Sequence, residues 1–360
     1  MATRVDLGDR SYTVQYRSLN DLPRLLRDAG LPPGRCLLIS DENVAAHYRS
    51  PLVQTLETAG WTVRSIVLPP GEQTKSADAL HTIYDEALEW GIDRQTPVLA
   101  LGGGVIGDLA GFAAATLLRG LPLVHLPTSL LAQVDASVGG KTAINHKTGK
   151  NLIGAFHQPQ LVCTDPSVLD TLPMDEYTSG MAEVVKHALI RDIDLMTFLE
   201  ENLAPILSRR DREAVATTIE RAVAVKAEIV SADEREAGER MILNFGHTFA
   251  HAIESVAGYG SFSHGEAVAL GMRAALYLSH RRHPDAIPRD RAVALVRALP
   301  VEPDPTALAF EALYDAMRAD KKNDGATIRF VLLDRLGHAY VTGDVPQSEV
   351  RQAWEFACTG

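Results

Sequence analysis

The chain has 360 residues, 46% hydrophobic and 22% charged, with a formal net charge of −11 at pH 7. That length gives one large or two ordinary domains and a sizeable core, and the composition is that of a globular protein. The acidic balance argues against nucleic acid or an anionic membrane as a partner. No apolar run approaches the roughly 18 residues of a membrane span, and Cys36, Cys163 and Cys358 lie too far apart to suggest a disulfide framework. The opening MATRVDLGDR lacks the apolar core of a signal peptide, so a cytoplasmic location is expected.

Arg4–Leu7 and Tyr12–Tyr16, separated by Gly8-Asp9-Arg10, predict a small hairpin. Apolar β-type runs follow at Cys36–Ser40, Val63–Leu68, Val98–Leu101, Leu123–Leu126 and Leu161–Thr164. Helical patterns lie between them at Asn43–Ala59, Ser76–Trp90 and Ile106–Leu118. This alternation predicts a mostly parallel sheet with helices on both faces. Asp41, Glu42 and Asn43 fall at the carboxyl end of a strand, where such sheets bind ligands. The stretch Pro69-Pro70-Gly71-Glu72-Gln73-Thr74-Lys75 follows the next strand and reads as a turn and helix cap.

The chain is organised around Leu99 to Pro159. Val98–Leu101 breaks into Gly102-Gly103-Gly104, and a small-residue helix is expected from Ile106. Strand, glycine turn, helix brings backbone N–H groups and a helix N-terminus up to a phosphate. The spacing is GGGxxG rather than GxGxxG, so on pattern alone a tight structural turn stands beside a nucleotide site. A second loop carries Thr128-Ser129, then Asp135, then Gly139-Gly140-Lys141. Lys147, Lys150 and Asn151 are expected to complete a polar, cationic loop.

From Pro173 helical patterns dominate, at Ser179–Ile190, Leu195–Leu203, Asp211–Ala232, His247–Ala257, Gly265–His280, Asp290–Leu299 and Phe310–Ala319. A hairpin is expected at Thr327–Leu332 and His338–Thr342, then a last helix at Ser348–Cys358. The division falls near Leu172–Pro173: an α/β domain over 1–172 and a mainly α-helical domain over 173–360. In the second half His247 and His251 share a helical face at i and i+4, and Glu183, Lys186 and His187 share another. A carboxylate with two or three imidazoles suits a divalent metal such as zinc. Spacing alone selects His247 and His251 as the pair, against the alternative of ordinary helix histidines. No GxSxG elbow and no GxxxxGK[ST] loop is present.

The segments GGGVIGDLAGFAA, LPTSLLAQVDASVGGKTA, GKNLIGAFHQP, MAEVVKH, VKAEIV, DEREAGERMILNFGH, SHGEAVALGM and DKKNDG closely resemble signature segments of the 3-dehydroquinate synthase family. The resemblance runs roughly from Cys36 to Gly337. It departs at Thr128-Ser129, where many members carry Thr-Thr, a hydroxyl for a hydroxyl. It implies a Rossmann-like N-terminal domain, a helical C-terminal domain, and a homodimer. The implied reaction turns 3-deoxy-D-arabino-heptulosonate 7-phosphate into 3-dehydroquinate and phosphate, by transient oxidation with NAD, elimination, reduction and an intramolecular aldol step.

By that resemblance one divalent ion, zinc or cobalt, is held by Glu183, His247 and His264, and His251 belongs to the substrate pocket instead. NAD is implied to lie against Asp41, Asn43, Gly71, Glu72, Lys75, Gly103, Gly104, Val105, Ile106, Gly107, Asp108, Thr128, Ser129, Lys141, Lys150, Val168, Leu169, Asp170 and Thr171. The phosphorylated sugar acid is implied to meet Lys141, Lys186, Lys226, Arg240, Lys321 and Lys322, with Asn151, Asn244, Glu236 and Asp135 as their polar partners. Arg119 is implied to reach a neighbouring subunit's site.

Three other readings stand beside this one. A sister cyclase acting on sedoheptulose 7-phosphate or an amino analogue is disfavoured by Arg240, Asn244 and Lys321-Lys322. A metal-dependent polyol dehydrogenase has little use for so many cations, and a silent scaffold has no need of an intact ligand set.

Overall fold

The computed structural model describes residues 1–258, 261–320 and 327–359. Lys321 and Lys322 lie outside the described residues. The chain divides into two compact units, one of Met1–Leu172 with Lys226–Arg235, the other of Pro173–Val225 with Glu236–Gly360.

The first unit runs β1 (Ala2–Val5), β2 (Tyr12–Tyr16), α1 (Leu22–Asp28), β3 (Arg35–Asp41), α2 (Glu42–Thr58), β4 (Thr62–Leu68), α3 (Ala77–Glu89), β5 (Val98–Gly102), α4 (Gly104–Thr116), β6 (Leu123–Pro127), β7 (Lys141–His146), β8 (Gly149–Phe156) and β9 (Leu161–Thr164). Seven strands form one sheet in the order β1-β2-β9-β6-β5-β3-β4. Only the β1–β2 pair is antiparallel, as the opening hairpin predicts. Alternate residues of each strand feed opposite faces. Leu37, Ile39, Val98, Ala100 and Leu123 join Ile83 of α3 and Ile106, Leu109 and Ala113 of α4 in one core. Leu38, Leu99, Leu101, Val124 and Leu126 join Leu22, Leu25 and Leu26 of α1 and Leu52 and Leu56 of α2 in the other. A sheet covered on both faces accounts for strands that read as nearly continuous apolar runs.

His125 of β6 is buried in this unit. Burial first, then neighbouring His157, pushes its pKa from 6.5 down to about 4. The unfolded chain therefore takes up a proton between pH 6.5 and 4 that the fold refuses. This contribution is fully present above about pH 6.5 and is lost as the pH falls, to an extent of about 3 kcal/mol. Urea unfolding at pH 7 and pH 4.5 is expected to show a smaller acid loss in His125→Leu than in the parent chain. Equal losses would remove His125 as the cause.

Two expectations need correction here. The cationic loop over Lys141–Asn151 is an antiparallel hairpin, with Lys141 opening β7, Lys147 in the turn, and Lys150 and Asn151 on β8. It pairs outside the main sheet, so most of β8 stays exposed and no alternation marks it. The glycine-turn helix begins at Gly104 rather than Ile106 and ends at Thr116. Leu118 and Arg119 then adopt left-handed backbone, with φ of 50° and 71°. Helix α1, just seven residues with a proline in its first turn, has no counterpart among the expected elements.

The second unit contains α5 (Met174–Ile190), α6 (Ile193–Leu207), most of α7 (Arg212–Ala232), α8 (His247–Ala257), α9 (His264–Arg282), α10 (Arg289–Arg297), α11 (Phe310–Asp320), the hairpin β10 (Phe330–Arg335) and β11 (His338–Thr342), and α12 (Gln347–Cys358). Helix α9 is its centre. It is buried almost throughout Gly265–Ser279 and packs against α5, α8, α10 and α12. No helix among the described residues is long and apolar enough to cross a membrane.

Candidate functional site

In the first unit the chain leaves β3 for β4, then returns to lay β5 on the other side of β3. That reversal opens a crevice at the carboxyl ends of β3 and β5, where open α/β sheets bind ligands. Asp41 ends β3 and Gly103 follows β5. The Asp41 carboxylate caps α2, accepting from the Val44 N–H at 3.0 Å, while Asn43 is exposed in the first turn. Gly103 caps α4 without a side chain, so the first-turn N–H groups of Gly104, Val105 and Ile106 have no intrahelical acceptor. A Cβ on Gly103 would stand 3.4 Å from Ser129 Oγ, and the Thr128 N–H donates to the Gly102 carbonyl at 3.0 Å. The second loop is thus pinned beside the glycine turn. A pyrophosphate fits this cradle of bare backbone at a helix N-terminus.

Around it stand Gly107 and Asp108 in α4, Gly71 at φ +100°, Glu72 and buried Lys75. Lys75 Nζ donates to Asp108 Oδ2 and Asn151 Oδ1. Burial raises the Asp108 pKa and the Lys75 ammonium works against that rise. The turn after β9 carries buried Val168 and Leu169 and exposed Asp170 and Thr171. Tyr48 Oη fastens it, donating to the Val168 carbonyl at 3.0 Å and lying 2.6 Å from Thr171 Oγ1. Asp135 sits in one turn of wide π-type helix, where its carboxylate and its carbonyl each accept from Lys226 Nζ at 2.6 Å. Lys226 is buried, whereas Lys141 and Arg119 are exposed.

The second unit brings Glu183, His247 and His264 together, one ligand atom of each lying within 4.8 Å of the others. Glu183 comes from α5, His247 from the first residue of α8, and His264 from the first residue of α9. The close approach of α9 to α5 depends on Gly265, where a Cβ would lie 2.3 Å from Ser179 Cα. Its N–H instead donates to Ser179 Oγ at 2.9 Å. Ser263 and Glu266 form a reciprocal capping box that fixes the first turn of α9.

Glu183 Oε1 is buried with no hydrogen-bond donor among the described residues, yet it faces His247 Nε2 at 3.5 Å and His264 Nε2 at 3.6 Å. Those separations match the edge of a tetrahedron with bonds of about 2.1 Å, roughly 3.4 Å. The opposite ring nitrogens are held as metal-binding imidazoles are. His247 Nδ1 lies 3.3 Å from the Phe245 carbonyl, and His264 Nδ1 lies 3.6 Å from Glu254 Oε1. The residues present fit a divalent ion of the zinc type.

Lys186 Nζ pairs with the other Glu183 oxygen, Oε2. Burial works to raise the Glu183 pKa but is outweighed by Lys186, His264 and His247, which hold the carboxyl well below its usual range. Burial, with Lys186 adding to it, drives His247 down to about 3. At His264 burial is overcome by the two carboxylates that face it, Glu183 and Glu254, which lift it to about 10.

His251 lies one turn beyond His247, exposed, its ring edge-on at 5.6 Å between centroids; the three-residue group holds His264 in its stead. Arg240 is buried in a tight turn over Glu239–Asn244, and Asn244 Nδ2 donates to Glu236 Oε1 at 2.9 Å. His187 is fully buried on α5. Glu254, absent from the sequence-based candidates, lies on α8 seven residues after His247, and only the packing of α9 on α8 brings it to His264. Its i+7 spacing, two helical turns, is the one signal the sequence offered.

The family models described as 3-dehydroquinate synthase N-terminal and C-terminal match residues 65–179 and 180–323. A 3-dehydroquinate synthase of Salinibacter ruber is 71% identical over 359 residues, covering 100% of this chain and 98% of that protein. Among solved structures, 2-epi-5-epi-valiolone synthase from Streptomyces hygroscopicus subsp. jinggangensis, with NAD+ and Zn2+ bound, is similar at 30% identity and a TM-score of 0.85. The similarity covers 96% of this chain and 95% of that one. A 2-deoxy-scyllo-inosose synthase complexed with carbaglucose-6-phosphate, NAD+ and Co2+ is similar at 26% identity and a TM-score of 0.86, covering 99% and 100%.

Proposed function

We infer the activity of this chain from one premise: it belongs to the 3-dehydroquinate synthase family. The chain is a carbon–oxygen lyase of the shikimate pathway that closes 3-deoxy-D-arabino-heptulosonate 7-phosphate to 3-dehydroquinate with loss of phosphate. The observation that carries this is 71% identity to a synthase of that name over the whole chain. NAD and one divalent ion, zinc or cobalt, are proposed from the similar structures that hold them. Bound, the nicotinamide supplies reversible hydride uptake at a hydroxyl-bearing carbon, and the ion supplies Lewis-acid polarisation of substrate oxygens.

The chain's own residues are assigned to binding and orientation. Gly103, Gly104, Val105, Ile106, Gly107 and Asp108 are proposed around the pyrophosphate. Asp41, Asn43, Gly71, Glu72, Lys75, Thr128, Ser129, Lys141, Lys150, Val168, Leu169, Asp170 and Thr171 are proposed for the rest of the dinucleotide. Glu183, His247 and His264 are the proposed ion ligands, supported by the lone buried oxygen of Glu183. Lys141, Lys186, Lys226, Arg240 and His251 are proposed for the substrate, with Asn151, Asn244, Glu236 and Asp135 setting their positions. Lys226 is suited to this because Asp135 fixes its ammonium in a buried setting, where a charged donor acts most strongly on an anion. Holding phosphate and carboxylate at fixed points orients the carbon chain for elimination and closure.

A homodimer is proposed, with a second copy covering the outer face of β8, where Leu152 and Phe156 remain 62% and 46% exposed. Arg119, in its left-handed turn, is proposed to point towards that copy. Sedimentation should give a dimer that Leu152→Asp with Phe156→Asp dissociates; a monomeric parent chain would end this proposal. The location proposed is the cytoplasm.

Phosphate release with catalytic NAD+ tests the activity. Chelator-sensitive release from 3-deoxy-D-arabino-heptulosonate 7-phosphate, without net NADH, is the expected result. Preference for sedoheptulose 7-phosphate would move the chain to a sister cyclase, and NADH formation from polyols to a dehydrogenase.

A further inference from the structure

Asn145 carries no role in the site as assigned so far, yet it is where three of the assigned residues meet. It lies on β7 at a break in the hairpin ladder. Ile144 faces Ile153 and His146 faces Gly149, so Asn145 stands alone opposite Lys150, Asn151 and Leu152. Such bulges free backbone groups and re-aim side chains. The freed Asn145 N–H donates to the Lys75 carbonyl at 2.8 Å. Its Nδ2 donates to Glu72 Oε1 at 2.7 Å, and its Oδ1 accepts from the Asn151 N–H at 3.0 Å. Asn151 is held at φ +58°, and its own Oδ1 accepts from Lys75 Nζ.

We propose that Asn145 is a positioning residue for the dinucleotide, locking Glu72, Lys75 and Asn151 into one arrangement. An amide is the side chain this place requires. One end must donate to a carboxylate and the other must accept from a backbone N–H. Glu72 is thereby held with a fixed orientation, and the bulge of β8 is held open so that Asn151 reaches Lys75. The inference rests on the proposal that Glu72 and Lys75 contact NAD.

The test is NAD+ affinity, measured by titration calorimetry on the purified chain, with the melting temperature recorded beside it. Asn145→Asp keeps the shape and the acceptor but sets a carboxylate against Glu72. It is expected to weaken NAD+ roughly tenfold or more. Glu72→Gln restores a donor at that contact. The double variant Asn145→Asp with Glu72→Gln is therefore expected to bind several-fold more tightly than Asn145→Asp alone, although Glu72→Gln by itself does not strengthen binding. Asn145→Ser, which cannot span both partners and adds no charge, is expected to lose about fivefold and serves if Asn145→Asp does not fold.

Unchanged NAD+ affinity in a folded Asn145→Asp, or equal weakness in the single and double variants, would overturn the proposal. A fall in melting temperature with affinity intact would mark a structural residue only and overturn it too. Failure of the parent chain to bind NAD+ would instead overturn the cofactor assignment on which the inference stands.

Discussion

His264→Ala is expected to strip the chain of its divalent ion while leaving the helical unit folded. Glu183 Oε1 then faces one imidazole in place of two, and the pair of contacts at 3.5 and 3.6 Å is reduced to the one at 3.5 Å. Loss of a hydrogen-bond partner behind a ligand costs about 10- to 100-fold in ion affinity. Loss of the ligand itself is expected to cost more, with turnover falling at least about a hundredfold. Elemental analysis after dialysis, with circular dichroism as the check on folding, reads both. His251→Ala is the contrast. It lies on the same helix as His247 but outside the three-residue group, so its ion content should stay at one per chain while activity falls. Full ion retention in His264→Ala would return the ligand pair to His247 and His251.

Gly265→Ala should damage the same centre without touching a ligand. A methyl at this position would sit 2.3 Å from Ser179 Cα and 2.5 Å from its carbonyl oxygen, backbone atoms that cannot swing aside. Helix α9 must therefore move off α5, at a cost of about 2 to 3 kcal/mol for an overpacked contact. His264 and Glu183 stand on the two helices that part, so ion affinity should fall together with the melting temperature. A variant that melts lower yet holds its ion as the parent does would show that the ligands tolerate this displacement.

The centre of the sheet was legible in the sequence because β3, β5, β6 and β9 are buried on both faces. Leu37, Leu38 and Ile39 contribute to alternate cores, and the run reads as apolar throughout. The β7–β8 hairpin was not, because residues such as Leu152 and Asn151 are exposed and obey no period. The role proposed for it depends on a bulge, and a bulge is a property of pairing between strands. The candidate ion ligands divide in the same way. His247 and His251 announce themselves by helical spacing. His264 comes from another helix, brought in by a contact that only a glycine permits, and no local pattern encodes it. It was reached through the resemblance of SHGEAVALGM to a known segment. Glu254 and Asn145 stayed invisible because a carboxylate on a helix and an amide on a strand are ordinary until their neighbours are known.

The proposed ligand set is drawn from α5, α8 and α9, whose contributions are separated by 64 residues between Glu183 and His247 and 17 between His247 and His264. No unfolded segment can bring such distant groups to one point, so chelation belongs to the folded helical unit and is linked to its folding. An ion at a hundred times its Kd would add about 2.7 kcal/mol to that unit. Scarcity of the metal would then be felt first as susceptibility to proteolysis, with the supply of zinc or cobalt governing how much of the protein survives as well as how fast each molecule works.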